Sequence, residues 1–285
     1  MIGVFDSGHG GLTVLRALTA ALPDRSFRYL GDHGNAPYGN RTPEQIYRLT
    51  VASVERLFER DCRLVVLACN TAAAIALRRL QQDWLPHSFP DRRVLGVLVP
   101  MVEAITGVPW MADLPAARGA GADRVIAVFA TRRTVESEAY PREIGKRAPE
   151  VTVIQQGCPR LVALIEAGAA RQALRSAVAS YAEALLSRLS GRRLHAVMLG
   201  CTHYPLVADL FAEALPSDVE MLSQPELTAR SLAAYLDRHP EFDMQRGSPQ
   251  VEFLTSGDPA RVSRLARSFF GSAAEFRGLG KAHAA

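Results

Sequence analysis

The sequence predicts an α/β fold of two pseudo-symmetric, flavodoxin-like domains with parallel sheets and a ligand site in the cleft between them. Three observations lead there. Aliphatic runs of strand length alternate with stretches of helical apolar spacing, the pattern of a parallel sheet covered by helices. The alternation runs once through the first hundred residues and again through the second hundred. Two loops of the same make-up then fall at corresponding places, Ala68-Cys69-Asn70-Thr71-Ala72 and Gly200-Cys201-Thr202-His203-Tyr204. In sheets of this kind ligands bind beyond the carboxyl ends of the strands, and both loops sit there.

The elements follow in order. Ile2-Gly3-Val4-Phe5 reads as the first strand, Asp6 to Gly11 as a tight turn, and Leu12 to Leu18 as the start of a helix. A strand at Phe27-Arg28-Tyr29-Leu30 leads into a polar loop over 31–39. A helix is expected over 43–60, with Thr42 as N-cap and Pro43 at its first position. Leu64-Val65-Val66-Leu67 is the strand before the first thiol, followed by a helix over 73–82 and a strand over 94–98. In the second half, strands are expected at 123–129, 151–154 and 196–199, with a helix opening at Val135 and a long amphipathic one over 171–188. The turn after Phe5 answers Ala130-Thr131 after Phe129, and Cys69 answers Cys201, the mark of an internal duplication. The expected domains are 1–98 with 217–285, and 99–216. The stretch 106–121 reads as a surface loop and 278–285 as a frayed end.

Bulk properties narrow the function classes. The chain has 285 residues, 48% hydrophobic and 22% charged, enough for a sizeable core. No apolar run approaches the roughly 18 residues of a membrane span. The first residues lack a basic segment, so a cytoplasmic protein is expected. The net charge is +4, but only Lys146 and Lys281 among the 33 basic residues are lysines, and the arginines are scattered. Without a dense basic block, nucleic acid is not an expected partner. Four cysteines without a C-x-x-C pair do not make a disulfide scaffold.

The chemistry is carried by the matched loops. Cys62 and Cys158 read as small buried hydrophobes. Cys69 and Cys201 each stand where a strand gives way to a helix or turn, where an N-terminal dipole lowers a thiol pKa from about 8.5 toward neutrality. Two such thiols facing one substrate supply the two proton carriers that a 1,1-proton transfer at a stereocentre needs. Asn70, Thr71 and Thr202 offer hydroxyl, amide and N–H groups that hold a carboxylate and stabilise the enediolate formed when a weakly acidic Cα proton leaves. The turn Ser7-Gly8-His9-Gly10-Gly11 is neither a Walker loop nor a dinucleotide fingerprint, but it presents backbone N–H groups to an anion, and Asp6 suits a substrate ammonium. Cys69, Cys201, His203 and Asp6 carry metal-ligating atoms, yet C-x-H is not a zinc spacing and H-E-x-x-H is absent, so no metal is expected. Neither lysine lies in a matched loop, so no pyridoxal Schiff base, and no cofactor, is expected.

At these residues the chain resembles the cofactor-independent glutamate racemases of the aspartate/glutamate racemase superfamily. The resemblance covers nearly the whole length, from Gly3-Val4-Phe5-Asp6-Ser7-Gly8 through Pro37-Tyr38-Gly39, the Cys69 loop, Ala130-Thr131 with Thr134, Gly157-Cys158-Pro159, Leu164-Ile165-Glu166 and the Cys201 loop to Phe253-Leu254-Thr255-Ser256-Gly257. It implies a two-base racemization in which Cys69 serves D-glutamate and Cys201 serves L-glutamate from the opposite face. It implies substrate contacts from Asp6, Ser7, Pro37, Tyr38, Gly39, Asn70, Thr71, Thr131, Thr134, Thr202 and His203, with Asp6, Asp32, Glu166 and His203 assisting proton transfer. It further implies D-glutamate supply for peptidoglycan and a homodimer. Some members bind a cell-wall nucleotide precursor as activator, and some inhibit DNA gyrase. Two alternatives stand beside this reading: a racemase of aspartate or another acidic amino acid, and a non-catalytic regulator of gyrase or of a cell-wall precursor. The chain departs from the family pattern at Asp32-His33-Gly34-Asn35, at Arg132-Arg133, at Leu222-Ser223-Gln224-Pro225, where an Asp is common, and in the length of 106–121.

Overall fold

A computed structural model describes residues 1–110, 124–243, 248–271 and 274–280. Its strands are β1 (Ile2–Asp6), β2 (Phe27–Gly31), β3 (Leu64–Leu67), β4 (Arg93–Gly96), β5 (Val125–Ala130), β6 (Thr152–Gly157), β7 (Ala196–Gly200), β8 (Glu220–Leu222), β9 (Val251–Thr255) and β10 (Phe276–Gly278). The helices are α1 (Gly11–Ala21), α2 (Pro43–Phe58), α3 (Asn70–Arg79), α4 (Leu85–Ser88), α5 (Leu98–Thr106), α6 (Arg132–Glu136), α7 (Ala139–Arg147), α8 (Leu161–Glu166), α9 (Arg171–Leu186), α10 (Ala208–Ala214), α11 (Gln224–Arg238) and α12 (Pro259–Ala266).

The strands form two all-parallel sheets, ordered β10-β9-β2-β1-β3-β4 and β6-β5-β7-β8. The run β2-β1-β3-β4 of the first repeats as β6-β5-β7-β8 in the second. β1 thus corresponds to β5 and β3 to β7, the pairing that the sequence duplication implies. Both central strands are buried along their whole length, as a parallel sheet covered on two faces requires. In β5 the alternation is explicit. Ile126, Val128 and Ala130 pack with Leu98, Met101 and Tyr140 on one face, while Val125, Ala127 and Phe129 pack with Val178, Leu185 and Phe211 on the other.

Register fixes where the loops emerge. Phe5 of β1 lies opposite Leu67 of β3, so Asp6 and Cys69 leave the first sheet at the same end. Ala130 lies opposite both Gly157 and Gly200, so Thr131, Cys158 and Cys201 leave the second sheet together.

Several elements differ from expectation for physical reasons. α3 begins at Asn70, because Cys69 itself caps it, its sulfur accepting the Ala72 N–H at 3.5 Å. The helix runs beyond 82 through a π-helical turn at Leu80–Trp84 into α4. The strand expected over 94–98 stops at Gly96, and Leu98 opens α5, whose Leu98, Met101 and Ile105 cover the second sheet. Where one helix was expected from Val135 there are two, α6 and α7, with Glu138 between them at φ 53°. The chain does not return to the first sheet at 217: Glu220–Leu222 pair with Ala196–Met198 of β7, and the return comes at α11, which packs on α1. Gly278, expected in a frayed end, closes β10, which pairs with β9. Within 106–121, residues 111–121 lie outside the described residues, as do 281–285; Trp110 lies 3.8 Å beneath the Arg147 guanidinium. No described helix is long and apolar enough to cross a membrane.

The N-terminus of α2 forms as the sequence requires. Thr42 Oγ1 accepts the Gln45 N–H, and Gln45 Oε1 accepts the Thr42 N–H, a reciprocal capping box. Thr42→Ala is expected to destabilise the protein by about 1 kcal/mol. A urea midpoint equal to wild type would show that the cap contributes nothing.

Candidate active site

The glycine turn after β1 is shaped by what it abuts. A Cβ at Gly10 would overlap Thr202 Oγ1 and the His203 ring, and one at Gly11 would overlap the Asp6 side chain. The turn of the first sheet therefore lies flush against the Cys201 loop of the second. Two hydrogen bonds fix the contact. Thr13 Oγ1 donates to the Thr202 carbonyl at 3.0 Å, and Thr202 Oγ1 donates to Asp6 Oδ1 at 3.2 Å. The other Asp6 oxygen accepts the Gly8 N–H at 2.8 Å. Asp6 is wholly buried, and burial raises its pKa, opposed by the positive charge of His203 and by the N–H and hydroxyl donors.

Cys69 and Cys201 occupy unlike surroundings. Cys69 Sγ lies 3.4 Å from Ser7 Oγ. Burial first, and then the Asp6 carboxylate, push its pKa up to about 12, against the Ser7 and Ala72 donors. This reverses the expectation that a helix N-terminus brings the thiol toward neutrality: a buried sulfur beside a carboxylate keeps its proton. Cys201 is followed by a turn and the short 3-10 helix Tyr204–Val207, so no α-helix starts there.

His203 Nδ1 lies 3.9 Å from Cys201 Sγ, and its Nε2 lies 2.9 Å from Glu166 Oε1. Burial opposes charge on the imidazole, but the contacts with Cys201 and Glu166 outweigh it and bring His203 up to about 10. Glu166, despite burial, is held well below the usual carboxylate range by His203 and by His9, whose Nδ1 is 3.6 Å away. His9 in turn meets His33 edge-on at 4.2 Å. Burial and His9 lower His33 to about 3, so it is neutral, and its Nε2 has no hydrogen-bond partner among the described residues.

A second junction joins the sheets. Thr71 Oγ1 of α3 lies 3.0 Å from Thr131 Oγ1 and 3.2 Å from Thr134 Oγ1, and the latter two are 3.0 Å apart. A Cβ at Gly39 would touch Thr131, so the 37–39 segment, entered through a cis Ala36-Pro37 bond, borders the same cluster.

The structure therefore brings Asp6, Ser7, Cys69, Thr202, Cys201, His203 and Glu166 to one junction, and Thr71, Thr131, Thr134 and Gly39 to its neighbour. Asp32 and Tyr38 face each other instead. Asp32 accepts from Tyr38 Oη at 2.7 Å, Ser256 Oγ at 2.5 Å and Asn35 Nδ2 at 3.0 Å. The Asn70 carboxamide is engaged by Gln224 and Tyr140, leaving the backbone N–H of this first helical residue free of intrahelical bonding. Sequence reasoning gave no role to His9, Gln224 or Tyr140. A histidine inside a glycine turn was a visible signal for the first, and the departure over 222–225 for the second; nothing marked Tyr140.

Comparison with known proteins settles the lineage. The family model for Asp/Glu/Hydantoin racemase matches residues 2–232. The chain belongs to this family. It is 48% identical over 281 residues to the glutamate racemase of Phenylobacterium zucineum (strain HLK1), covering 96% of this chain and 98% of that one. It is 49% identical over 275 residues to that of Roseobacter denitrificans, with the same coverage. Among solved structures, glutamate racemase from Francisella tularensis in complex with D-glutamate superposes with a TM-score of 0.81 at 25% identity, covering 97% of this chain and 96% of that one. The RacE1 isoform from Bacillus anthracis gives 0.81 at 30% identity, with 98% and 96% covered.

The His203–Glu166 pair has a defined pH window. His203 holds its proton more tightly when folded, so its contribution to stability is complete below about 6.5 and is lost as pH rises through about 10. That of Glu166 is present above its ordinary value and is lost only as acid reaches its lowered one. Glu166→Gln should lower the His203 pKa by roughly one pH unit or more, read from imidazole ¹⁵N shifts. A value still near 10 would mean that Glu166 does not hold the proton there.

Proposed function

We propose that the protein interconverts L- and D-glutamate by a two-thiol proton transfer in the cleft between its two sheets. The observation that supports it most is the Asp6–Thr202 junction, where the turn that carries Ser7, 3.4 Å from Cys69, meets the loop that carries Cys201. The relatives named glutamate racemase supply the substrate.

The steps follow from the charges. In the L-to-D direction Cys201, as thiolate, takes the α-proton and Cys69 gives its own to the opposite face. Cys201 ends as a thiol and Cys69 as a thiolate. Cys69 is ready for this, because at about 12 it rests protonated at neutral pH. In the D-to-L direction Cys69 must first lose that proton. The substrate ammonium, attracted by Asp6, brings a positive charge to the site, and its approach favours the sulfur anion. His203, kept positive by Glu166, is the counter-charge for Cys201. Hydroxyls of Thr71, Thr131, Thr134 and Thr202, with the N–H groups at the start of α3, hold the substrate carboxylates and stabilise the enediolate as charge moves onto it. Asp32 acts through Tyr38, which it holds in place, and so borders the substrate through the 37–39 segment. The two sheets serve as the two domains. This reading carries with it D-glutamate supply for peptidoglycan by a cytoplasmic homodimer.

The test is direct. Chelator-treated protein, with no pyridoxal phosphate added, is incubated with L-glutamate in D₂O while deuterium at Cα and optical rotation are followed. Exchange with racemization is expected. Cys69→Ala and Cys201→Ala should each lower turnover by roughly a hundredfold or more. Racemization that survives in both variants would remove the two-thiol assignment, and turnover of aspartate in preference to glutamate would remove the substrate.

A further inference from the structure

We infer that Gln224 is a positioning residue for the Cys69 side of the site, acting through Asn70. The inference rests on the proposed racemization for its kinetic meaning, but its structural basis stands apart from it.

Asn70 is the residue immediately after Cys69 and the first residue of α3. Its carboxamide pairs head-to-tail with that of Gln224. Asn70 Nδ2 donates to Gln224 Oε1 at 2.6 Å, and Gln224 Nε2 donates to Asn70 Oδ1 at 3.0 Å. Tyr140 Oη donates to the same Asn70 oxygen at 2.6 Å. The second hydrogen of Gln224 Nε2 is shared between the Val97 carbonyl at 3.4 Å and Tyr140 Oη at 3.3 Å. Asn70 is 3% exposed, Gln224 2% and Tyr140 wholly buried. A closed ring of two amides in such a place fixes direction as well as distance, because each member needs one donor and one acceptor from the other.

The positions of these partners give the ring its meaning. Val97 is where the chain leaves the first sheet, one residue before α5. Gln224 is where it comes back, the first residue of α11. Tyr140, on α7, belongs to the core of the second sheet. Both strand crossings and the second sheet are thus tied to the residue that follows the Cys69 thiol. Displacing the Asn70 carboxamide moves the first turn of α3, and with it Cys69 and the N–H groups that face the substrate.

The side chain at 224 must both donate and accept. Leucine at this position would do neither. Glutamate would do both only while protonated. An ionised carboxylate there confronts the Asn70 Oδ1 and Val97 carbonyl oxygens with no hydrogen to offer, whereas the neutral acid rebuilds the ring. Burial raises the pKa of such a carboxyl, so its titration enters the working range of the enzyme. The wild-type amide has no such titration.

The experiment compares wild type with Gln224→Glu, Gln224→Leu and the milder Tyr140→Phe between pH 5.5 and 9. Two readouts are taken: kcat for glutamate racemization, and the Asn70 side-chain amide and Cys69 ¹³Cβ resonances. For Gln224→Glu, kcat relative to wild type should lie within about threefold at pH 5.5 and fall tenfold or more by pH 8.5. The Asn70 and Cys69 resonances should follow the same curve, while those of Cys201 stay as in wild type. Gln224→Leu should lose kcat equally at every pH, and Tyr140→Phe should lose less than either. A kcat ratio for Gln224→Glu that is flat with pH, or Cys69 resonances in it that match wild type at pH 8.5, would overturn the inference. Should wild type fail to racemize glutamate, the proposed reaction falls, and the Asn70 and Cys69 resonances still decide whether Gln224 controls them.

Discussion

Everything at the cleft depends on a contact that has no room for a side chain. Gly10 presses its backbone against Thr202 and His203, and that closeness lets Thr13 reach the Thr202 carbonyl and Thr202 reach Asp6. A parallel sheet delivers its loops to one end but does not say what they will face. Here the end of one sheet faces the end of another, and the glycine turn lets them approach to hydrogen-bonding distance. Asp6, at the end of the buried strand β1, lies wholly buried at this junction. Its raised pKa follows from that burial, and its carboxylate contributes to that of Cys69.

The two halves repeat in strand order and in loop composition, yet their thiols have been made electrically different. Cys69 caps a genuine helix beside a carboxylate, in a place that keeps its proton on. Cys201 precedes a short 3-10 turn and stands beside a positive imidazole backed by Glu166 and His9. A racemase treats mirror-image substrates, but its side chains are not mirror images, and each direction of transfer meets its own arrangement of charge. The difference arises because the neighbours of the two thiols, Ser7 and Asp6 at Cys69 and His203 at Cys201, are not repeated when the sheets are. Asp6 lies beside Cys69 in its own sheet and reaches Thr202 across the junction, whereas Glu166 pairs with the His203 imidazole beside Cys201.

Local signals were sufficient for most of the framework. The strands at Ile2, Leu64 and Ala196 were legible as largely aliphatic runs, that at Phe27 as an apolar stretch of aromatic and aliphatic residues, and Thr42-Pro43 marked a helix start that the capping box bears out. What the sequence did not reveal has a common cause. α5 was hidden because Val97 and Leu98 continue an apolar run, and only the cover needed by Ile126 and Val128 turns them into a helix. β8 has little periodicity of its own: a strand end at 222–225 came only with the family resemblance, and the three residues take their strand character from pairing with β7.

The sequence by itself determined the alternation of strands and helices, their duplication, and the side chains held at the strand ends, since these follow from hydrophobic period and turn chemistry within a few residues of each other. Only the tertiary structure decided which groups meet: that Asn70 turns to Gln224 and Tyr140, that Asp32 holds Tyr38, and that His9 shares Glu166 with His203. It also reversed the direction expected for the Cys69 thiol. Proton affinity is set by desolvation and by charges within a few ångströms, and residues distant in the chain supply both.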